Sequence, residues 1–151
     1  MPDFPDPKTM SKSELETGNV FAPSFDQNGL ILAITCDANT NELLMAAYMN
    51  EESIRLTLET GFVHYYSRSR QSLWKKGESS GELQQFVEMR TDCDQDILQI
   101  LAIQTGTGAA CHTGRKSCLY RKVVAQNGKL QLETLDMPPL FDPAQKYKSQ
   151  G

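Results

Sequence analysis

The sequence predicts an α+β fold that is rich in strands, with a mostly antiparallel or mixed sheet and one or two short helices. Apolar runs of strand length recur along the chain and are separated by clusters of turn residues. One helix is indicated at both ends, with Asn50 as its N-cap and Gly61 as its C-terminal stop. We expect the segments that carry chemistry to lie in loops and at strand ends, positioned by rigid elements.

The predicted elements follow one another simply along the chain. Residues 30–36 and 43–48 are predicted strands joined by a turn, and a helix is predicted from Asn50 through Thr60. Further strands are predicted at residues 62–67, 84–90, 97–104, 119–125 and 129–135. The last two flank an Asn-Gly pair, which indicates a tight hairpin turn.

The composition predicts one ordinary domain. The chain has 151 residues, of which 39% are apolar and 23% are charged, enough material for a core. We predict a disordered N-terminal arm at residues 1–12, where Pro and Asp are frequent, a domain at residues 13–136 and a polar C-terminal tail at residues 137–151.

The sequence contains no recognisable membrane-spanning segment or secretory signal. No apolar run is long enough for a membrane span, and the N-terminus lacks the basic and apolar regions of a signal peptide. We therefore expect no membrane partner and a cytoplasmic location, where cysteines stay reduced. The net charge of −4 argues against a nucleic-acid partner. Cys36 lies in an apolar run and is interpreted as a packed residue.

Residues 92–118 combine ligands suited to two different metals. Three thiols (Cys93, Cys111, Cys118) favour a zinc-like ion, whereas three carboxylates (Asp92, Asp94, Asp96) favour a magnesium-like ion. In an extended segment the three aspartates would share one face, with the intervening thiol on the other. A solvated acidic turn is the alternative interpretation of the aspartates.

The thiols also admit two interpretations. Free cysteines are often simply buried, and the six-residue gap between Cys111 and Cys118 is wider than in structural zinc sites. Both residues, however, lie in a polar segment that contains glycine. Three thiolates leave the fourth position of zinc open for water, as in catalytic zinc sites. His112 is predicted to transfer protons beside this site, with a hydrogen-bonded structural histidine as the alternative.

Several motifs together resemble one enzyme family. They are E-L-L-M-A-A-Y-M-N at residues 42–50, Y-S-R-S-R-Q-S-L-W-K-K-G-E-S-S-G at 66–81, D-C-D-Q-D at 92–96 and G-A-A-C-H-T-G-R-K-S-C at 108–118. Their order is similar to that of phosphoribosyl-AMP cyclohydrolases, which act in histidine biosynthesis. The resemblance implies zinc held by the three cysteines, magnesium held by the three aspartates, and an intertwined homodimer whose chains share each active site. The short chain suggests the monofunctional form.

The resemblance implies a hydrolase that opens the adenine ring of 1-(5-phosphoribosyl)-AMP between N1 and C6. Water activated by zinc would give the phosphoribosylformimino-AICAR-phosphate intermediate. The substrate carries two phosphates, so basic residues are candidate phosphate ligands, namely Arg68, Arg70, Lys75, Lys76 and Arg115.

Other interpretations remain open at this point. Trp74 either stacks on a purine-like base or belongs to the core. A zinc-stapled module that binds a phosphate-bearing ligand is the non-enzymatic alternative, and a purine deaminase-like hydrolase, which would release ammonia, is the other enzymatic one.

Overall fold

A computed structural model describes residues 3–147 and confirms the strand-rich α+β class. The strands are β1 (Ile31–Asp37), β2 (Leu43–Met49), β3 (His64–Ser67), β4 (Ser72–Lys75), β5 (Gln84–Thr91), β6 (Ile97–Gln104), β7 (Arg121–Gln126) and β8 (Lys129–Thr134). The helices are α1 (Lys12–Thr17), α2 (Glu51–Thr60) and α3 (Pro143–Lys146), and a 3-10 turn spans Pro7–Thr9.

Six strands form one mixed sheet in the order β4-β3-β2-β1-β6-β5. Only β1 and β6 run parallel, and all the other neighbours are antiparallel. The sheet curls, because Phe62 forms an isolated bridge to Gln85 and so brings the chain before β3 onto the start of β5. Strands β7 and β8 form a separate hairpin.

The helix predicted from its ends is present. The Asn50 side chain accepts a hydrogen bond from the Ser53 amide, and the Ser53 hydroxyl accepts one from the Asn50 amide, each at 2.8 Å. This capping box satisfies two backbone donors that the first helical turn leaves unpaired. Gly61 ends the helix in the left-handed region at φ 78°. Helix α2 buries Ile54 and Thr57 against the sheet.

The core is built from residues of the six-stranded sheet and helix α2, and it includes a buried polar chain. Apolar residues such as Ile31, Leu44 and Leu98 are almost fully buried. Tyr65 is also fully buried, and its hydroxyl bonds Thr35 and Gln84 at 2.6 Å each. Burial raises the pKa of Tyr65 well above its usual range, so the hydroxyl stays neutral.

Both ends of the described chain pack on the domain. Phe4 lies edge-on against Phe21, with the Arg55 guanidinium 4.8 Å from its ring centre. Leu140 donates a 2.6 Å backbone hydrogen bond to Gly114, whose φ of 89° and lack of Cβ let the Phe141 carbonyl approach. The predicted division at residues 12 and 136 remains a prediction. No helix among the described residues is long and apolar enough to cross a membrane.

Candidate active site

The parallel pair β1–β6 separates the two groups of candidate metal ligands. The aspartate segment comes just before β6, which begins opposite Leu32 of β1. The Cys118 amide instead donates a 2.7 Å hydrogen bond to the carbonyl of Leu44, near the start of β2. That part of β2 lies beside the other end of β1, where Cys36 pairs with Leu43 of β2 and with Leu101 of β6. The three aspartates, together with Cys93, therefore lie at the opposite end of these strands from Cys111 and Cys118 in one chain.

The three aspartates meet in a turn. Asp92, Asp94 and Asp96 each place one carboxylate oxygen within 4.8 Å of the others. An extended backbone was expected here, but the backbone turns. Gln95 adopts φ 56°, and its amide donates a hydrogen bond to the Asp92 carbonyl at 3.1 Å. The turn gathers the carboxylates by folding back, and that expectation about the backbone was wrong.

Crowding shifts the protonation of these carboxyls. Hydrogen bonding with Asp92 and Asp94 raises the pKa of Asp96 to about 6. Partial burial raises the pKa of Asp92, but its hydrogen bonds to Asp96, Asp94 and nearby amides outweigh burial, and its pKa lies below the usual range. A divalent cation would relieve this repulsion and hold all three groups ionised.

Gln95, which the sequence analysis passed over, fixes this turn to the N-terminal segment. Its buried side chain accepts from the Ala22 amide at 2.8 Å and donates to the Leu15 and Val20 carbonyls at 3.0 and 3.2 Å. A positive φ is uncommon for a non-glycine residue, and these three bonds hold it in place. The only sequence signal was a long amide among carboxylates.

Cys111 and Cys118 lie together in the second loop. The Cys111 amide bonds the Arg115 carbonyl at 3.1 Å, and the Thr113 hydroxyl donates to the Cys111 sulfur at 3.0 Å. Cys118 is exposed as a residue, yet desolvation, the charge on Cys111 and hydrogen bonding to its sulfur raise the Cys118 pKa to about 12. The two thiols therefore lie close enough to influence each other's ionisation, as two ligands of one ion would.

Cys93 lies far from that pair in the same chain. The aspartate turn meets β6 at Ile97, and the Cys118 end of the sheet is level with Leu101 of the same strand. These two residues are four positions apart, which is about 13 Å at ~3.3 Å per strand residue. Cys93 precedes Ile97 by another four residues. Sulfurs on one zinc ion are about 4 Å apart, given a Zn–S bond of ~2.3 Å. Cys93 of the same chain cannot join Cys111 and Cys118.

A cleft of about 470 Å³ opens beside the thiol pair. His112 and Cys118 line it together with Trp74 and the segment up to Ser80. Trp74 packs against buried Tyr65 at 5.1 Å between ring centres, so it belongs both to the core and to the cleft wall. Strand β4, absent from the predicted elements, carries this wall through its pairing with β3.

Three of the five candidate phosphate ligands line the cleft. They are Arg70, Lys75 and Lys76. Arg68 instead stacks on Tyr48 at 4.2 Å and lines a different depression. Arg115 packs on Tyr120 at 4.2 Å and is absent from the cleft lining.

Lys76 lies close to the thiols. Its ammonium donates to the Ala110 carbonyl at 2.5 Å, next to Cys111. Burial lowers the pKa of Lys76, and the charges of Cys118, Cys111 and Glu82 oppose that shift. A cation in this position offsets the negative charge that thiolates carry.

Glu82 was not predicted from the sequence as a site residue, yet it holds two segments together near the cleft. Its carboxylate accepts from the Thr107 amide, the Thr107 hydroxyl and the Lys146 ammonium, each at 2.9 Å. Burial raises the pKa of Glu82, but these bonds outweigh it and hold its pKa below the usual range. Through Lys146 the C-terminal segment is fastened beside the cleft, and Tyr147 joins its lining.

The order of these features along the chain matches one family. The family model described as phosphoribosyl-AMP cyclohydrolase matches residues 45–120, half of the chain, which includes both metal-ligand loops and His112. The chain belongs to the phosphoribosyl-AMP cyclohydrolase family. The resemblance noted from the sequence motifs is thereby confirmed.

Curated relatives extend the match beyond those residues. A phosphoribosyl-AMP cyclohydrolase of Sinorhizobium fredii is 55% identical over 144 residues, which are 95% of this chain and 94% of that protein. Proteins of the same name from Brucella anthropi and Brucella canis are each 60% identical over 121 residues, 80% of this chain and 86% and 87% of theirs.

Proposed function

We propose that this member of the family opens the adenine ring of 1-(5-phosphoribosyl)-AMP between N1 and C6, using water activated by zinc. Family membership and 55–60% identity to relatives of that name support phosphoribosyl-AMP cyclohydrolase activity in histidine biosynthesis. The observation that carries the mechanism is the cleft in which a thiol pair, a histidine and several cations converge. The proposed product is the phosphoribosylformimino-AICAR-phosphate intermediate.

The donor sets fit the two metals. Three carboxylate oxygens within 4.8 Å suit a hard cation such as magnesium, and the interacting sulfurs of Cys111 and Cys118 suit zinc. We propose that Cys93 of a second copy completes the zinc site, since the strand register keeps it away in the same chain. Zinc bound there supplies a Lewis acid that activates water near neutral pH.

The remaining groups of the cleft have separate roles in the proposal. Arg70, Lys75 and Lys76 bind the phosphates, since fork-shaped and point-charge donors on one wall suit a substrate with two phosphate groups. His112 lines the same cleft as Cys118 and moves protons during ring opening. Arg68 and Arg115 are less suitable phosphate ligands, because their guanidinium groups are stacked on tyrosines.

Turnover of phosphoribosyl-AMP tests this function. We expect metal-stripped protein to be inactive and to regain ring opening when zinc and magnesium are both restored, with no ammonia released. Absorbance of the opened product, ammonia and bound metal should be measured together. Ammonia release would indicate a deaminase. Zinc binding without turnover of the substrate would make the chain a binding module, and either result contradicts the proposal.

A further inference from the structure

The β7–β8 hairpin presents an apolar face that the described chain leaves uncovered. Val123 lies opposite Leu132, and Ala125 lies opposite Leu130, so these four side chains share one face. Val123, Leu130 and Leu132 are 70%, 77% and 55% exposed. The Asn-Gly turn, with φ of 53° and 73°, defines the hairpin locally. A two-stranded hairpin alone is only marginally stable in water, so this face needs a surface to pack on.

A second apolar surface lies beside Cys93. A cleft of about 280 Å³ is lined by three apolar side chains, with Arg90 and Thr91 at its polar part; the apolar ones are Phe21, Leu58 and Met89. Phe21 and Thr91 also line the depression that contains Cys93. Next to it, β5 is an edge strand of the six-stranded sheet, and its bridge to the chain before β3 reaches only its first residues. This cleft and the free strand edge therefore lie beside one of the candidate zinc ligands, Cys93.

Chain connectivity places these two surfaces next to each other when two copies share a zinc site. The hairpin begins three residues after Cys118, and β5 ends two residues before Cys93. When Cys93 of one copy meets Cys118 of a second copy, the apolar cleft of the first copy lies beside the base of the hairpin of the second copy. Each six-residue strand spans about 20 Å, long enough to cover that cleft.

The charges of the two surfaces are complementary. Residues 121–134 carry Arg121, Lys122 and Lys129 against Glu133, for a net charge of +2. On the other surface three aspartates, at 92, 94 and 96, follow β5, and the charge of Arg90 in the cleft lining is balanced by its ion pair with Glu88. Opposite charges favour this pairing and its register.

We propose that the β7–β8 hairpin is a dimer arm that packs its apolar face into the Phe21, Leu58 and Met89 cleft of a second copy of this chain. The arm holds the partner's Cys93 against Cys111 and Cys118, and so rests on the shared zinc site proposed above. The whole hairpin, residues 121–134, lies beyond the residues matched by the family model.

Charging the apolar face tests the arm. The Val123→Glu/Leu132→Glu variant should weaken the dimer at least about tenfold in sedimentation velocity over a concentration series, because two carboxylates would be buried against apolar side chains. The matched control, Gln126→Glu/Gln131→Glu, adds the same charge on the polar face of the hairpin and should keep the wild-type dissociation constant. Far-UV circular dichroism and thermal unfolding check that both variants fold.

A change on the opposite surface gives an independent reading, also if the hairpin variant fails to fold. Leu58→Glu places a charge in the proposed receiving cleft and should weaken the dimer in the same way. Backbone amides of residues 87–91 should exchange slowly in the wild-type dimer and faster in either variant. Wild-type dissociation constants in both variants, or a monomeric wild-type protein, would overturn the dimer arm.

Turnover separates this inference from the proposed function. A hairpin variant that remains a tight dimer with wild-type turnover overturns the arm alone. A wild-type protein without turnover overturns the proposed function, whereas dissociation caused by the charged hairpin face would still support the arm.

Discussion

The Cys118→Ser protein is expected to lose turnover of phosphoribosyl-AMP entirely and to bind little zinc. A serine hydroxyl at this position is a much poorer zinc ligand than a thiolate, and the remaining sulfur of Cys111 has no second partner in its own chain. Cys93→Ser and Cys111→Ser should behave in the same way. Zinc analysis of purified protein and a ring-opening assay check these expectations together.

Cys36→Ser is the matched control for this series. Cys36 is 5% exposed in β1, and its sulfur accepts a 3.5 Å hydrogen bond from Gln99, far from the aspartate turn and outside the cleft lining. Its replacement should leave turnover and zinc content nearly unchanged, at a modest cost in stability. Stoichiometric zinc and normal turnover in Cys118→Ser would show that the thiols are not ligands.

Replacing His112 with Ala is expected to lower kcat by about 10²-fold or more while zinc stays bound, the usual scale for losing a general acid or base. His112 is exposed in the cleft wall beside Cys118 and directly follows the proposed ligand Cys111. It can therefore reach substrate without ligating the same ion. Steady-state kinetics and metal analysis on the same preparation measure both quantities.

Free imidazole provides the discriminating readout for His112. If the side chain moves protons, added imidazole should restore part of the kcat of His112→Ala, because a small base can enter an open cleft. The control is His64, whose Nδ1 donates a 2.8 Å hydrogen bond to the Phe62 carbonyl in a buried position outside the cleft lining. Zinc lost together with activity would make His112 a ligand, and wild-type turnover would make it structural.

Local chemistry made much of the fold predictable. The helix between Asn50 and Gly61 was predicted at both ends, because its capping side chain and left-handed terminus are set by neighbours in the sequence. The strands in the predicted order also match closely, and the bounds of β6 agree completely. Strand β4 was missed, since its four residues lie among Arg, Lys and Ser and depend on pairing with β3. Helix α1 was missed although Ser11 and Glu14 carry an N-cap pattern.

The candidate site was also predictable only in part. Candidate ligands could be proposed from the sequence because thiolates and carboxylates differ in the metals they bind, and their assignment to zinc and magnesium stays a prediction. The separation of Cys93 from the other two thiols could not be predicted from the sequence, because it depends on the register between β1 and β6. Gln95 and Glu82 were missed because their importance comes from contacts with residues more than 20 positions away.

Complementation between two inactive variants tests the central claim, that each zinc site is built from two chains. A 1:1 mixture of Cys93→Ser and Cys118→Ser proteins, after subunit exchange, forms mixed dimers with one intact site. Half of the dimers are mixed on random exchange, so about a quarter of wild-type turnover should return. A mixture of Cys111→Ser and Cys118→Ser proteins is the control and should stay inactive, because every site then lacks a thiol. Mixed dimers of the first pair, confirmed by native mass spectrometry but without turnover, would contradict the shared site.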